Sequence, residues 1–514
     1  MTINKKYLIL LIASIAALII GFFRITGNIP DIREINNTGR APIIFPDYSQ
    51  TVIPPNIAPL NFIVKENGKK YYIKIFSARG DTIRIFNKNR KVKIHPAKWK
   101  KLLNQNKGEY LHFEIYTREG KGKWSKYELV SNKIANEEID GYLVYRLINP
   151  GYILWDELGI YCRNVQNFNE KPVLVNNLAD GDCMNCHSFC KNDPGKMIFH
   201  VRGDLDGTLL TRGDKLKKIN TRTGYTMSAG TYPSWHPGGR LIAFSVNIIM
   251  QQFHATGKEK IEVYDRASDI ILYDTESNII TTSPVVSTKK RETMPTWSPD
   301  GKYLYYCSAP EFENNLRYDS VRYDLVRISY NAESNIWGKP DTILTSHETG
   351  LSITWPRISP DGRYLLFCMA DHGYFSIHYP SSDLYIMDLE TGKYNRLDIN
   401  SDHVESYHSW SANGRWFVFA GKKLNGLCSR PYFAYFDYEG RVYKPFILPQ
   451  KDPDFYDTFL RNYNVPELVS GPVKLNKWYL RKTVNGQAID AEFDKNVDLD
   501  ALSGATRMEL YTHD

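Results

Sequence analysis

The chain has 514 residues and a formal net charge of +8, from 65 basic and 57 acidic residues. This length allows two or three domains with buried cores. The basic residues form no dense run, which argues against nucleic acid as a partner, because nucleic-acid-binding proteins gather positive charge on one face. Aromatic residues make up 13% of the chain and include 35 tyrosines, a composition that favours strands over helices.

An uncharged apolar run occupies residues 7–23, between the pair Lys5 and Lys6 and the following Arg24. No small-x-small cleavage pattern follows it, so we predict an uncleaved signal anchor over residues 1–24, a transmembrane helix with the two lysines inside. A cleaved signal peptide is the alternative. Under both interpretations the rest of the chain is exported. We expect a single-pass anchor in the cytoplasmic (inner) membrane, with the bulk of the protein in the periplasm.

Residues 25–51 are rich in Pro, Asn and Gly and suit a linker. From residue 52 to 147 the sequence changes to short runs in which apolar and polar residues alternate, for example 71–76, 82–86 and 111–115. Alternation with a period of two is typical of strands that are buried on one face. We therefore predict a small β-sandwich-like domain over residues 52–147, whose role the pattern does not reveal.

Residues 230–450 contain four copies of one pattern. The copies start near residues 233, 295, 356 and 408, and three of them place Pro at 237, 299 and 360 where the fourth has Ala412. Ser-Pro-Asp-Gly, as in 298–301, suits a type I turn, and the apolar run after it suits a buried strand. These residues resemble the WD40-like Pro-Asp repeat of TolB-type proteins. The resemblance implies a mainly β fold, a β-propeller, and strand-like flanking segments raise the expected number of blades to about six.

A second motif, Cys183-Met-Asn-Cys186-His187, precedes the repeats. Cys-x-x-Cys-His is the attachment motif of c-type haem: the two thiols add to the vinyl groups, and the histidine binds the iron. Over this short segment the chain resembles a c-type cytochrome, which implies one covalent haem c at Cys183, Cys186 and His187. We assign residues 148–229 to a haem-binding segment with the first propeller strands, the haem sitting on a small insertion, and residues 451–514 to a C-terminal segment that could close the propeller.

Two residues of the following segment, Met197 and His200, are candidates for the ligand on the opposite side of the iron. Methionine would give a higher reduction potential and histidine a lower one; an open position is a third option. Instead of haem, the cysteine pair could form a disulfide or a thioredoxin-like redox pair. The sequence supports a zinc site less well than these alternatives, because no second ligand pair follows at a suitable spacing.

The other cysteines and histidines carry weaker signals. Cys307 and Cys368 hold equivalent places in two repeats and are expected to be buried and unpaired, whereas Cys162 and Cys190 could form a disulfide. Four histidines fall in propeller loops and could bind a metal or substrate: His372, His378, His403 and His408. No nucleophile motif or phosphate-binding loop is present, so no catalytic residue is predicted.

Together these features favour a membrane-anchored periplasmic c-type haem protein that transfers electrons or senses redox state. Its propeller surface would dock a redox partner protein. The alternative is a TolB-like binding scaffold of the cell envelope without haem, binding protein or glycan. A peroxidase-like haem enzyme is a third hypothesis and would need an open position at the iron.

Overall fold

The computed structural model describes residues 32, 34–150, 158–256, 261–311 and 317–502. The predicted signal anchor, residues 1–24, lies outside these ranges. Among the described residues, no helix combines the length and the apolar character needed to cross a membrane. The chain divides into two compact units, residues 1–136 with 449–457, and residues 137–448 with 458–514.

The first unit contains a seven-stranded sheet, a three-stranded sheet, the helix Pro96–Gln105 and most of the short helix Phe455–Thr458. The strands of the larger sheet are Ile35–Asn37, Val52–Ile53, Lys70–Phe76, Ile83–Asn87, Tyr110–Arg118, Trp124–Lys126 and Val130–Ile134. The strands of the smaller sheet are Ile44–Phe45, Phe62–Val64 and Lys91–Val92. The strands predicted around residues 71–76, 82–86 and 111–115 are therefore confirmed, and two short strands also lie in the predicted linker.

The longer helix of this unit, Pro96–Gln105, was not apparent from the alternating pattern. Proline at its first turn fits, because that position needs no backbone hydrogen-bond donor. Trp99, Leu102 and Leu103 are buried on one face at helical spacing. The indole nitrogen of Trp99 also donates to the carbonyl oxygen of Ile57 at 3.0 Å, which ties the helix to the preceding loop.

The second unit consists of six separate antiparallel sheets, which we number as blades 1 to 6. Blade 1 comprises Asn462–Val469, Tyr142–Ile148, Gly159–Asn164 and Glu170–Val175. Blade 2 comprises Cys183–Phe189, Met197–Arg202, Gly207–Arg212 and Lys215–Asn220. Blade 3 comprises Thr231–Trp235, Leu241–Phe253, Ile261–Asp274 and Ile279–Thr281. Blade 4 comprises Arg291–Trp297, Tyr303–Ala309, Asp324–Asn331, Ile336–Trp337 and Asp341–Leu344. Blade 5 comprises Ser352–Ile358, Tyr364–Ala370, Asp383–Asp388 and Tyr394–Arg396. Blade 6 comprises Glu405–Trp410, Trp416–Gly421, Arg430–Tyr435 and Phe446–Ile447.

The first strand named for each blade is its inner strand. Each inner strand contacts the inner strand of the next blade, and that of blade 6 contacts that of blade 1. Each sheet stays open, but the contacts between sheets complete a ring. Apolar clusters fill the spaces between adjacent blades, for example Ile160 and Phe199 between blades 1 and 2. This arrangement is a β-propeller, as the repeat pattern predicted.

The repeated turn has the same hydrogen bonds in three blades. In blade 4 the Ser298 hydroxyl donates to a carboxylate oxygen of Asp300 at 2.6 Å and accepts from the Tyr303 N–H at 3.0 Å. Gly301 has a φ of +74°, which glycine adopts without steric cost. The equivalent acceptor bonds join Tyr364 N to Ser359 and Trp416 N to Ser411, at 2.9 and 3.1 Å. The turn thus fixes the hairpin between inner and second strands.

Segments from both ends of the second unit build blade 1. Its inner strand Asn462–Val469 pairs antiparallel with Tyr142–Ile148, a strand that the sequence pattern assigns to the first domain. Two short strands then extend blades 2 and 3, Ile489–Asp490 and Glu492–Phe493. The remaining helical segments are the α-helices Ser346–Thr349 and Lys477–Val484 and the 3-10 turns Asn176–Leu178, Tyr318–Ser320 and Ser376–His378.

Candidate ligand-binding site

Every inner strand carries one residue with left-handed backbone geometry. At this residue the pairing with the second strand shifts register, which marks a β-bulge. The six bulge residues and their φ angles are Cys186 (50°), Tyr232 (47°), Met294 (51°), Trp355 (56°), Tyr407 (47°) and Val465 (47°). A bulge re-aims side chains, and all of these except Met294 line one cavity.

This central cavity has a volume of about 420 Å³, within the range of small-molecule sites. Aromatic side chains form much of its wall. The rings of Trp355 and Tyr407 are 4.7 Å apart at an angle of 67°, and that of Tyr232 meets Trp355 edge-on at 6.2 Å. Phe375 completes the aromatic part of the lining. The bulges therefore gather aromatic residues from several blades around one space.

Cys183, Cys186 and His187 all line the central cavity. They lie on the inner strand of blade 2, Cys183–Phe189, and not on the separate haem-binding insertion that the sequence suggests. Cys183 and His187 are buried and Cys186 is half-buried. The motif is thus a regular part of the propeller wall, and its three functional side chains share one space.

Met197 and His200 do not line this cavity. They lie three residues apart on the second strand of blade 2, and side chains alternate between the faces of a strand. Met197 packs in the apolar core between blades 1 and 2. Nδ1 of His200 lies 2.8 Å from the Thr208 hydroxyl, and its ring faces Phe244 of blade 3. The structure therefore does not bring either proposed iron ligand to His187.

His187 is buried, and its ring nitrogens make no well-formed hydrogen bond, although backbone groups of Val144 and Val465 lie close to the ring and favour its protonated form. Burial, reinforced by the charge of Arg146, lowers the pKa of His187 to about 3. The imidazole is therefore neutral at physiological pH, and one of its nitrogens carries a free lone pair. A neutral imidazole beside a cavity can accept a hydrogen bond or bind a metal.

The cysteine pair is not a disulfide. Residues 183 and 186 are three apart on an extended strand, which separates their Cα atoms by roughly 10 Å, more than a disulfide spans. All seven cysteines lie in the described ranges and are unpaired, including Cys162 and Cys190. Cys307 and Cys368 are fully buried, as their equivalent positions predicted.

The fit to haem is partial. The attachment thiols and His187 face one cavity, as covalent attachment requires, whereas Met197 and His200 do not. Within the described residues, no group of three or more His, Cys, Asp or Glu side chains is arranged to hold a metal ion directly. A haem at Cys183, Cys186 and His187 therefore stays a prediction, and neither predicted opposite ligand is placed to complete it.

The four loop histidines do not converge. His378 lines the central cavity and stacks on Phe375 at 5.1 Å, and burial lowers its pKa to about 3. His408 contacts the carbonyl oxygen of Leu366 between blades 5 and 6. His372 lies 3.5 Å from Glu262, and His403 lies near Gly426. The predicted histidine cluster is therefore not a single site.

Three arginines line the central cavity, Arg146, Arg202 and Arg357. Arg146 donates to the carbonyl oxygen of Met184 at 3.2 Å and Arg202 to that of Gly230 at 3.3 Å. Among the described residues, none of the three forms an ion pair with a carboxylate. The wall therefore carries guanidinium groups that no ion pair among the described residues neutralises.

Glu467 is the carboxylic acid in the described lining of the cavity. Burial raises its pKa to about 7, against the opposing effects of Arg357 and of the Phe189 N–H that donates to it at 3.2 Å. Glu467, Arg357, Ser188 and Pro233 also line a second cavity of about 380 Å³. Since the two cavities share these residues, they are two parts of one central channel.

A long hairpin forms another wall of the cavity. Its strands, Leu241–Phe253 and Ile261–Asp274, are the longest in the described chain, and Ile249, Gln251 and Val263 line the cavity. Glu262 on this hairpin is fully buried and accepts a hydrogen bond from the Tyr379 hydroxyl of blade 5. The hairpin thus reaches from blade 3 to the loop that carries Phe375 and His378.

Sequence reasoning missed the arginines and all the bulge residues except Cys186. A usable signal existed for the latter: the residue before the repeat's Pro233, Pro295 or Pro356 is the bulge residue in each case. Aligning Cys186-His-Ser-Phe with Tyr407-His-Ser-Trp would have added blade 2 to the repeats. For Arg146 and Arg202, on second strands, no local signal exists.

Comparison with known proteins adds little to this description. No protein-family model and no curated protein matches the chain. A TolB protein from Agrobacterium tumefaciens is 14% identical with a TM-score of 0.36, covering 64% of this chain and 98% of that one. A variant of Synechocystis apocarotenoid oxygenase is 11% identical with a TM-score of 0.35, covering 80% and 95%. The Cps50 propeller domain of Myceliophteria thermophila is 10% identical with a TM-score of 0.31, covering 51% and 71%. At these values the fold assignment rests on the strand pairing of this chain itself.

Proposed function

We propose that this protein is a binding scaffold whose ligand site is the central cavity. The observation that carries the proposal is the convergence of five bulge residues from five blades on one aromatic space of about 420 Å³. Convergent aromatic walls with a few polar groups are typical of ligand sites. The apolar run before Arg24 supports placing this scaffold in the cell envelope, with a protein or a small molecule as its partner.

The histidines and the Cys183 thiol of the cavity suit binding better than acid–base chemistry, whereas Glu467, whose pKa burial raises to about 7, lies in the range of an acid or base. His187 and His378 both have pKa values of about 3, so neither holds a proton to donate at neutral pH, and both are far from the range of an efficient base. Burial also raises the pKa of the Cys183 thiol, which disfavours the reactive thiolate. These groups serve better as hydrogen-bond acceptors and apolar wall than as catalysts.

A neutral fluorescent probe tests the scaffold function. N-phenyl-1-naphthylamine brightens in apolar sites, and we expect the full chain to bind it saturably at one site. Replacing Tyr407 by Ala removes one aromatic wall and should weaken binding by about tenfold. The matched control is Tyr394→Ala, an exposed residue on the outer strand of blade 5. Absence of saturable binding, or equal effects of both substitutions, would refute the proposal.

A covalent haem c at the same cavity is the second candidate function. It is favoured by the position of Cys183, Cys186 and His187 on one space and by the lack of a well-formed hydrogen bond at either ring nitrogen of His187. Haem would supply one-electron transfer to a redox partner protein. The test is a pyridine haemochrome spectrum of denatured protein, expressed with its own export segment in a host that matures c-type haem. A signal lost in Cys183→Ala/Cys186→Ala supports haem; its absence in folded wild-type protein rejects it.

The location in the envelope needs its own measurement. The proposed anchor predicts that the protein stays with the inner membrane after alkaline carbonate washing and is digested by protease added to spheroplasts. Deletion of residues 2–24 should retain the chain in the cytoplasm. Protease resistance of the full chain in intact spheroplasts would contradict export.

A further inference from the structure

The charge of the central cavity is one-sided. Arg146, Arg202 and Arg357 face it, and Glu467 is the acid in its described lining. The pKa of Glu467 is about 7, so this acid offsets one guanidinium only in part at neutral pH. A pocket with this balance attracts anions.

Two of the arginines lie near the start of the blade 2 inner strand. Arg202 pairs with Cys183 across the strands, and Arg146 donates to the carbonyl oxygen of the next residue, Met184. Both guanidinium charges act on the Cys183 thiol and favour its ionised form. Arg357 instead faces Glu467, whose charge acts on it. The charge of Asp182 opposes theirs at this thiol, but Asp182 lies outside the cavity lining, and its carboxylate accepts from the N–H groups of Asp204 and Leu205. The positive charge that faces the cavity is therefore concentrated at Arg146 and Arg202.

Arg146 also has an unused donor. Its side chain is only 9% exposed, and its Nε atom has no hydrogen-bond partner. A buried guanidinium without a counter-ion is costly, because it has lost much of its hydration. An anion in the cavity would supply both the missing acceptor and the missing charge, and guanidinium groups bind planar anions with paired hydrogen bonds.

We infer that the central cavity binds a small molecule in which an anionic group, held by Arg146 and Arg202, is joined to a flat apolar body that packs against Trp355 and Tyr407. The inference rests on the proposed binding function and adds the chemical class of the ligand. A carboxylate on a free small molecule and a carboxylate of a covalently bound haem would be held alike, and the haemochrome spectrum described above distinguishes these two sources.

A pair of probes with one aromatic body tests the inference. 8-Anilino-1-naphthalenesulfonate carries a sulfonate that N-phenyl-1-naphthylamine lacks. We expect the anionic probe to bind the full chain about tenfold more tightly at low salt, and this preference to shrink as salt is added. Arg146→Gln and Arg202→Gln should each remove most of the preference, measured in each variant as the ratio of its affinities for the two probes.

The controls separate the possible failures. Arg222→Gln removes one positive charge at an exposed position outside the cavity and should leave both affinities unchanged. Because Arg146 is buried and its loss threatens folding, the half-buried Arg202 provides the second variant, and neutral-probe binding reports whether the cavity is intact. If both probes bind equally, or if the arginine variants weaken both alike, the anion site is refuted. If neither probe binds wild-type protein, the binding function itself fails.

Discussion

His187 and His408 occupy the same position in two blades: each directly follows the left-handed bulge residue of its inner strand. His408 places Nε2 at 2.8 Å from the carbonyl oxygen of Leu366 in the preceding blade. His187 faces the preceding blade in the same way, where backbone groups of Val144 and Val465 interact with its ring, but neither ring nitrogen makes a well-formed hydrogen bond. The other four inner strands have proline here, at 233, 295, 356 and 466. The histidine of the haem motif is therefore also a propeller repeat position.

This difference predicts unequal costs for the same substitution. His408→Leu removes a well-formed buried hydrogen bond, whereas His187→Leu removes only the weaker backbone interactions with Val144 and Val465, so we expect the free energy of unfolding to fall by about 1 kcal/mol more for His408→Leu. Urea unfolding of both variants measures this difference in unfolding free energy, provided that their m-values match that of wild type. A larger loss for His187→Leu would show that its ring makes a stronger interaction in solution, and a Soret band lost in that variant would identify haem.

Glu467 predicts a pH dependence of stability. Burial raises its pKa from the ordinary 4.5 to about 7. Between these pH values the folded protein holds a proton that the unfolded chain has lost. The contribution of Glu467 to the free energy of unfolding is therefore fully present below pH 4.5 and is lost as the pH rises through 7. Glu467→Gln lacks this dependence. Wild type should therefore lose about 1–3 kcal/mol of unfolding free energy between pH 4.5 and pH 8 that the variant does not lose, and the difference between variant and wild type should shift by that amount in favour of the variant.

Urea titrations of both proteins at the two pH values test this prediction. Burial also raises the pKa values of Asp265, Glu292 and Glu405 to about 7, but these groups are common to both proteins and cancel in the difference. A difference that stays constant with pH would mean that Glu467 is ionised and well solvated in the folded state.

Blades 3 to 6 could be predicted from the sequence because each carries its own turn before a buried strand, as at Pro299 and Pro360. For blade 2 the sequence analysis predicted propeller strands within residues 148–229 but missed the inner strand, because Phe189 and Cys190 stand where the repeat has Trp and Ser. For blade 1 it predicted that residues 451–514 could close the propeller, but not that Asn462–Val469 pairs with Tyr142–Ile148, because pairing over such a sequence separation leaves no local signal.

The cavity was harder to predict than the fold. Cys183, Cys186 and His187 were found because their spacing is a known motif, and they do line it. Met197 and His200 were chosen for closeness in sequence, but strand alternation turns them toward the cores on either side of blade 2. Arg146 and Arg202 read as ordinary strand residues, since only the ring arrangement brings second strands of neighbouring blades to one space.

Thiol labelling distinguishes the two motif cysteines. Cys186 is half-buried and lines the cavity, whereas the other six cysteines are buried, and burial raises the pKa values of Cys183 and Cys190. We expect one fast-reacting thiol in the native protein, identified by mass spectrometry after brief maleimide treatment and lost in Cys186→Ser. Equally fast labelling of Cys183 would contradict the described wall. If Cys183 and Cys186 stay unlabelled even after denaturation, while the other five cysteines react, both motif thiols are covalently modified.

Val465 should be a strained position. It is β-branched and has a φ of 47°, a conformation that asparagine tolerates better than valine. Val465→Asn is therefore expected to raise the free energy of unfolding by about 1 kcal/mol. The control is Val469→Asn on the same strand, where a fully buried side chain of ordinary geometry should make the substitution strongly destabilising. Destabilisation by both variants would show that the bulge at Val465 carries no relievable strain.

The contact between Tyr379 and Glu262 predicts how the cavity wall moves. The Tyr379 hydroxyl donates to the buried Glu262 carboxylate and holds the long hairpin against blade 5. Tyr379→Phe removes the hydrogen bond to that carboxylate. Amide hydrogen exchange should therefore speed up in the parts of Leu241–Phe253 and Ile261–Asp274 that extend past the other strands of blade 3. Because Ile249 and Val263 line the cavity, the dissociation rate of N-phenyl-1-naphthylamine should rise in the same variant. Faster exchange without faster release would mean that the probe leaves by the other end of the channel, past Arg357 and Glu467.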